Sequence, residues 1–412
     1  MKYPIGIQNF EKMRKGGYLY IDKTDLIYEL VKNGMYYFLS RPRRFGKSLL
    51  ISTLETYFSG RKEMFEGLKI SELETEWVEY PVLHLDLNTE RYSTPEALEN
   101  KLDLFLKECE SLYGKNPDEY SLATRFEGVI RRAAEKTGRN TVILVDEYDK
   151  PMLQAIGNEE LQNEYWDIIK TFCSVFKSMD RYIRFALMTG VTKFGNVSAF
   201  SDLNNLSDIS MLKDYERICG FTEEELHSVF KDDIIRLGDE NGLTEEETKA
   251  KLKELYDGYH FNERCVGIYN PFSILNTFAK KKFGNYWFLT GTPTFLVELM
   301  KGCGYSLNKL MREYASAYSL GRLETFKRNP VPVLYQSGYL TIKDYDKEFK
   351  IYILGFPNKE VEEGFMNFIL PFYATLKNSN SGFEIKSFVK DVRSGNIDSF
   401  MKRLTTFFAD TP

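Results

Sequence analysis

Thr141-Val142-Ile143-Leu144-Val145 is an unbroken apolar, largely β-branched run that ends in Asp146-Glu147. A strand with no polar face must be covered on both sides, and helices on the two faces of a parallel sheet supply that cover. Three similar runs precede or follow it: Tyr36-Tyr37-Phe38-Leu39, Val82-Leu83-His84-Leu85-Asp86-Leu87 and Ile183-Arg184-Phe185-Ala186-Leu187-Met188. Between them, residues 94–112 and 158–179 carry apolar side chains at helical spacing. This alternation predicts an α/β fold, a parallel sheet flanked by helices, with the 141–145 run as a central strand.

Composition narrows the class. With 412 residues, the chain has material for roughly two to three folded units. A 43% hydrophobic and 28% charged content suits buried cores and excludes global disorder. The net charge of −5 excludes a polycation that coats nucleic acid with its whole surface. Cys109, Cys173, Cys219, Cys265 and Cys303 are far apart with no CxxC pair, which predicts reduced thiols and neither a disulfide frame nor a zinc site. His84, His227 and His260 are equally scattered. No signal-type run and no stretch of ~18 continuous apolar residues occurs, so the expectation is a cytoplasmic protein without a membrane segment.

Near Gly220 the rhythm changes. Thr222-Glu223-Glu224-Glu225 and Thr244-Glu245-Glu246-Glu247 both spell a capping box, a Thr whose hydroxyl caps a helix and a Glu that caps it in return. Residues from about 221 to 300 therefore read as a small helical subdomain. Beyond it, Tyr339-Leu340-Thr341-Ile342 and Phe349-Lys350-Ile351-Tyr352-Ile353 flank the polar Lys343-Asp344-Tyr345-Asp346-Lys347, a hairpin pattern. Helices before a single hairpin suggest a winged-helix-like module.

The chemistry is carried by Arg41-Pro42-Arg43-Arg44-Phe45-Gly46-Lys47-Ser48, which follows the first strand and opens a helix near Leu49. That context, ending in Gly-Lys-Ser, is the phosphate-binding loop of P-loop NTPases. Gly46 lets backbone approach phosphate, and the free N–H groups over Arg43, Arg44, Phe45, Gly46, Lys47, Ser48 and Leu49 point at the anion. Lys47 can set its ammonium between the β- and γ-phosphates, and Ser48 can offer its hydroxyl to Mg²⁺. Arg41 stands where the first glycine of GxxxxGK[ST] would fall, so the bend must be built differently.

Asp146, at the tip of its strand, is the second metal candidate, and Glu147 the residue that would orient and polarise the attacking water. Thr189, in Met188-Thr189-Gly190, could contact the γ-phosphate or lytic water, or could simply sit in a turn after its strand. Lys47, Glu147 and Thr189 form the candidate catalytic set, and Ser48 and Asp146 the metal set.

With these residues, the chain resembles the AAA-ATPase-like family of bacterial proteins. The resemblance includes Tyr20-Ile21-Asp22-Lys23-Thr24, the Arg-Pro-Arg-Arg-Phe-Gly-Lys-Ser loop and Leu144-Val145-Asp146-Glu147-Tyr148-Asp149-Lys150-Pro151. It continues through Ile218-Cys219-Gly220-Phe221-Thr222, Tyr256-Asp257-Gly258-Tyr259 and Tyr286-Trp287-Phe288-Leu289-Thr290-Gly291-Thr292-Pro293. The family itself carries Arg-Pro-Arg-Arg at the loop, which removes the objection from Arg41. The resemblance implies a P-loop ATPase core at 1–220, a helical lid at 221–300, a winged-helix-like module at 301–364, and at 365–412 the helical start of a truncated nuclease-like domain. Full-length relatives continue into a PD-(D/E)XK nuclease-like domain. Here Glu384-Ile385-Lys386 spells ExK without an Asp on a partner strand, so the nuclease core is expected to be absent from this chain.

Further residues have more than one reading each. Arg43 and Arg44 add charge over the phosphates, or reach a neighbouring subunit, or are surface arginines. Asp22 and Lys23 contact the base or ribose, or cap a helix and face solvent. His260 senses nucleotide from the lid or packs among aromatics, and Asp86 bonds the loop or the water shell. Lys280-Lys281-Lys282 with Tyr286 and Trp287 contact nucleic acid through phosphate pairing and stacking, or form a solvated helix end. The leading function is Mg²⁺-dependent ATP binding and hydrolysis by a switch or motor that regulates a nuclease-like domain. The alternative is a nucleotide-gated protein or DNA interaction module with little turnover. ATP and ADP are the expected ligands, and duplex DNA and a second copy of the chain are the other partners considered.

Overall fold

A computed structural model describes residues 2–193, 206–290, 312–320 and 329–373, with positions 296, 299, 300, 305, 398, 399 and 401 besides. Gly291-Thr292-Pro293, Glu384-Ile385-Lys386 and most of 365–412 lie outside the described residues.

The four apolar runs are strands: β1 (Tyr36–Ser40), β2 (Val82–Asp86), β3 (Thr141–Asp146) and β4 (Ile183–Gly190). With a short β5 (Ser207–Asp208) they make a five-stranded sheet in the order β2-β3-β4-β1-β5, every pairing parallel. Every residue of β3 is buried, as its continuous apolar run requires, although the middle position belongs to β4. Helices Lys47–Phe58, Pro95–Tyr113, Leu122–Thr137 and Glu159–Cys173 supply the cover. Leu144 and Ile143 are 0% and 1% exposed. Each contributes on the order of 1.5–3 kcal/mol from burial.

This strand order has a direct consequence for chemistry. β1, which feeds the phosphate loop, and β3, which ends in the two acids, are separated by β4. Parallel strands end together, so the C-terminal tips of all three open on one rim, the usual ligand edge of such sheets. Register aligns Leu39 with Thr189, Val145 with Met188, and Asp86 with Asp146.

The region after Gly220 is a separate small core. β6 (Phe221–Thr222) pairs antiparallel with β7 (Ile268–Tyr269), and helices Glu223–Val229, Lys231–Asn241, Glu245–Tyr256 and Pro271–Lys280 pack around them. Both capping boxes form: Thr222 Oγ1 accepts from Glu225 N–H and Thr244 Oγ1 from Glu247 N–H, each with the Glu returning to the Thr amide. Phe230 stacks on Phe278 at 5.0 Å. The N-terminal segment joins this core through Tyr3, Leu19 and Ile21.

Farther on, β8 (Glu313–Ser316), β9 (Thr341–Asp346) and β10 (Ile351–Gly355) form an antiparallel sheet in the order β8-β10-β9. The hairpin boundary differs from expectation. Lys343-Asp344-Tyr345-Asp346 belongs to β9 and the turn falls over 347–350, with Lys350 at φ 54°. Pairing with β10 explains it: Asp346, Tyr345 and Asp344 lie opposite Ile351, Tyr352 and Ile353, and Tyr345 packs on Tyr352 at 4.7 Å, so an apparently polar linker is held in the sheet. Leu340, Ile342, Leu354 and Phe365 join the same apolar core as the large sheet. Among the described residues no helix is long and apolar enough to cross a membrane.

Candidate functional site

At the tip of β1 the chain turns outward and immediately enters the Lys47–Phe58 helix, two residues before the position expected at Leu49. The bend is made by left-handed backbone at Arg44 (φ 67°) and Gly46 (φ 98°). Gly46 is the helix N-cap, a conformation that favours glycine for want of a Cβ. Two of the loop carbonyls are bonded from other segments: Phe45 O accepts from Gly220 N–H at 3.2 Å and Arg43 O from Trp287 Nε1 at 2.9 Å. Residues 43–49 line the cavity, so the N–H groups that start the Lys47–Phe58 helix lie beside it, where an anion is favoured.

Arg41, where a glycine might stand, is 1% exposed. Its guanidinium donates to Ser40 O and Ser210 O at 2.9 and 2.7 Å and to Tyr215 O at 3.1 Å, and lies 3.9 Å over the Phe261 ring. It is an anchor behind the loop. Arg43 and Arg44 are exposed and line the cavity, and Arg44 also lies over Phe272. Phe45 points inward to the protein, edge-on to Tyr259 and Phe261.

Lys47 is 4% exposed, with Nζ 3.1 Å from Arg41 O, 3.4 Å from Pro42 O and 3.5 Å from Glu147 Oε1. Glu147 adopts φ 54°, an uncommon backbone for a non-glycine residue, which turns its carboxylate to that ammonium. Burial alone would raise the Glu147 pKa, but Lys47, Arg43 and Lys150 outweigh it and hold the carboxylate below its ordinary value. Asp146 moves the opposite way: burial raises it, against the Ser48 and Thr189 hydroxyls that favour its anion. Thr189 Oγ1 donates to Asp146 Oδ1 at 2.5 Å and is fully buried. Its hydroxyl therefore orients the carboxylate and does not line the cavity.

The cavity measures about 370 Å³. Its lining combines the loop with Lys47, Ser48, Glu147 and Lys150, and apolar side chains: Ile5 and Ile7 of the N-terminal segment, Phe221, and Phe272 and Leu275 of the helical region. A ligand with a polyanionic part and a flat, weakly polar part would meet both kinds of lining. Ser48 and Asp146 are oxygen donors placed together, the chemistry of a hard cation such as Mg²⁺. Among the described residues no cluster of three or more His, Cys, Asp or Glu could hold a metal unaided. Phosphate oxygens and water would have to complete the shell, as Mg²⁺ prefers.

Other candidate residues fall elsewhere. Asp22 accepts from Thr24 N–H and Oγ1 just ahead of the Thr24–Asn33 helix, whose N-cap is Lys23, and from Lys69 N–H. Lys23 lines the cavity but does not face solvent: at 8% exposure it donates to both Glu225 oxygens at 2.6 Å. Burial lowers its pKa, and Glu225 opposes the shift. Asp86 accepts from Asn88 N–H beside Asp146. His260 bonds Ile342 O through Nδ1 at 2.6 Å and belongs to the contact with β9. The stacking role for Trp287 is corrected outright, because a 5% exposed indole bound to Arg43 O cannot receive a base. Lys280 covers Tyr286 at 4.4 Å, and Lys281 pairs with Glu240.

Sequence reasoning overlooked Asp149. Its Oδ2 accepts from Val191 N–H, Thr192 N–H and Thr192 Oγ1 at 3.0, 2.6 and 2.6 Å, tying the end of β4 to the acids after β3. Burial, reinforced by Glu147, pushes its pKa up to about 6. An acid raised above its unfolded value of about 3.9 keeps a proton that the unfolded chain has released, so stability falls as pH climbs from about 4 to 6. Asp149→Asn, which retains an acceptor, is expected to flatten that slope. Urea midpoints at pH 4.5, 5.5 and 6.5 that fall in parallel for variant and wild type would contradict this.

Residues 4–200 match the AAA-ATPase-like family, described as “Predicted AAA-ATPase”. An uncharacterized protein in the vnfD 5′ region of Azotobacter chroococcum mcd 1 is 38% identical over 370 residues, covering 88% of this chain and 68% of the relative.

Proposed function

The chain belongs to the AAA-ATPase-like family, and from that premise we propose that it binds ATP with Mg²⁺ at the phosphate loop and hydrolyses it as a nucleotide-driven switch. The observation that carries this is the convergence, on one cavity, of Lys47 from the β1 loop and Glu147 from the tip of β3, 3.5 Å apart.

In this reading the triphosphate takes over the Lys47 ammonium from the Arg41 and Pro42 carbonyls, and the N–H groups of residues 43–49 hold its oxygens. Ser48 and Asp146 would hold Mg²⁺, which supplies charge neutralisation across the phosphates when bound. Thr189 fixes the rotamer of Asp146 through its hydrogen bond. Glu147, kept anionic by the surrounding cations, accepts a proton from, and orients, the attacking water once Lys47 turns to phosphate. The helical region at 221–300 acts as a lid, a reading supported by Phe221, Phe272 and Leu275, which line the same cavity as the loop. The hairpin region at 301–364, with its winged-helix-like order of helix and hairpin, is the candidate output.

A gated module with little turnover is the second reading, favoured by the Lys47–Glu147 pair, which ties up the water-activating acid before nucleotide arrives. Steady-state phosphate release separates the two. Glu147→Gln should retain ATP and slow release by about 10²–10⁴-fold, the range for losing a general base. Release at the wild-type rate in this variant, or undiminished after chelation of Mg²⁺, would overturn hydrolysis by this site.

A further inference from the structure

Trp287 touches the phosphate loop from outside the cavity, and its other contacts lead to a distant helix. Its indole Nε1 donates to Arg43 O at 2.9 Å, while its ring packs between Tyr259 and Tyr339 at 6.2 and 5.4 Å. Its backbone N–H donates to Glu360 Oε1 at 2.7 Å. Glu360 stands in the first turn of the Lys359–Tyr373 helix and is 1% exposed. Its Oε2 accepts from Ser273 Oγ, also at 2.7 Å. One turn later the helix grips the next residue: a Cβ at Gly364 would lie 2.5 Å from the Phe288 ring, so only glycine allows this approach.

A buried carboxylate is costly unless its bonds compensate. Among the described residues no cation pairs with Glu360; the titratable groups facing it are the phenols of Tyr256, Tyr259 and Tyr286. What it does possess is the pair of elements it joins, Trp287 and Ser273. We infer that Glu360 and Trp287 are positioning residues for the phosphate loop, through which nucleotide binding and the docking of the 359–373 helix become one equilibrium. The inference rests on the ATP reading above. Phosphate that draws Lys47 from the carbonyls of Arg41 and Pro42 disturbs the two residues directly before Arg43, whose carbonyl the indole holds. Coupling of this kind is reciprocal: whatever loosens the helix changes nucleotide affinity by the same factor.

Burial raises the Glu360 pKa to about 7, opposed by Ser273 and the Trp287 and Phe288 amides. Protonation turns one of its acceptor oxygens into a donor, so the hold on Trp287 weakens as pH falls through 7. Wild-type ATP affinity is therefore expected to drop between pH 8 and pH 6, and that of Glu360→Gln to stay flat.

The test uses the full chain carrying Trp77→Phe and Trp166→Phe, which leaves Trp287 as its sole tryptophan. Titration with Mg-ATP, followed by calorimetry and by fluorescence, should give a Trp287 emission change that tracks the calorimetric saturation. Glu360→Gln should weaken ATP binding roughly tenfold at pH 8, the size of a lost hydrogen bond. Ser273→Ala removes a donor that favours the carboxylate and should move the pH midpoint upward, a readout that does not depend on Glu360→Gln folding. If ATP binds calorimetrically while Trp287 stays silent, or while the pH profile is the same in all variants, this inference falls and the ATP reading stands. If wild type binds no nucleotide, both fall.

Discussion

Lys47→Ala is expected to weaken Mg-ATP binding by at least about 100-fold, roughly 3 kcal/mol, the size of two charge-assisted hydrogen bonds. The ammonium is already desolvated and aimed at the cavity, held by the Arg41 and Pro42 carbonyls and by Glu147. Phosphate oxygens exchange with those acceptors, so little ordering cost remains at binding. Alanine removes the only buried cation of the loop that faces Glu147 at ion-pair distance among the described residues. Arg43 and Lys150 then oppose burial alone, and the Glu147 pKa rises. Calorimetric titration checks the first effect, and a Kd within tenfold of wild type would contradict the assigned role. Lys47→Arg is not expected to rescue it, because carbonyls at 3.1 and 3.4 Å leave a slot for a compact ammonium and no room for a planar fork.

Much of this site was legible because its parts obey local rules. A run such as 141–145 has one way to avoid water, and both Thr-x-x-Glu boxes cap helices with reciprocal bonds that the chain needs no partner to make. The juxtaposition of the two strand tips followed from parallel topology. What escaped was decided by distant partners. Lys23 looks like a surface lysine until Glu225, 202 positions away, closes on it. Trp287 beside three lysines looks like a stacking platform, yet its ring is packed between Tyr259 and Tyr339. The polar stretch 343–346 looks like a turn because its side chains are exposed or half-buried, yet Asp344, Tyr345 and Asp346 pair with β10. Arg41 is the sharpest instance, since no local pattern distinguishes an exposed phosphate ligand from a buried anchor.

Arg41→Gly would restore the glycine of the GxxxxGK[ST] pattern, and by motif alone should be harmless. The contacts of Arg41 predict the reverse: a loss of about 3–5 kcal/mol, in the range for breaking a buried charged network. Its removal strips the Ser210 and Tyr215 carbonyls of their donor, takes a cation from the face of Phe261, and leaves a void behind the loop. Glycine also returns backbone freedom to the unfolded chain at a position with no left-handed conformation to gain from it. The melting temperature of the nucleotide-free protein should fall by about 10 °C, scaling from 2–4 °C per kcal/mol for a large domain. Arg41→Lys should recover little, because one ammonium cannot span carbonyls on both sides of a guanidinium. Mg-ATP should narrow the gap for Arg41→Gly only if the loop still closes on phosphate. A melting temperature equal to wild type in Arg41→Gly would mean that the carbonyls of Ser210 and Tyr215 find other donors, and that the anchor is dispensable to the loop it supports.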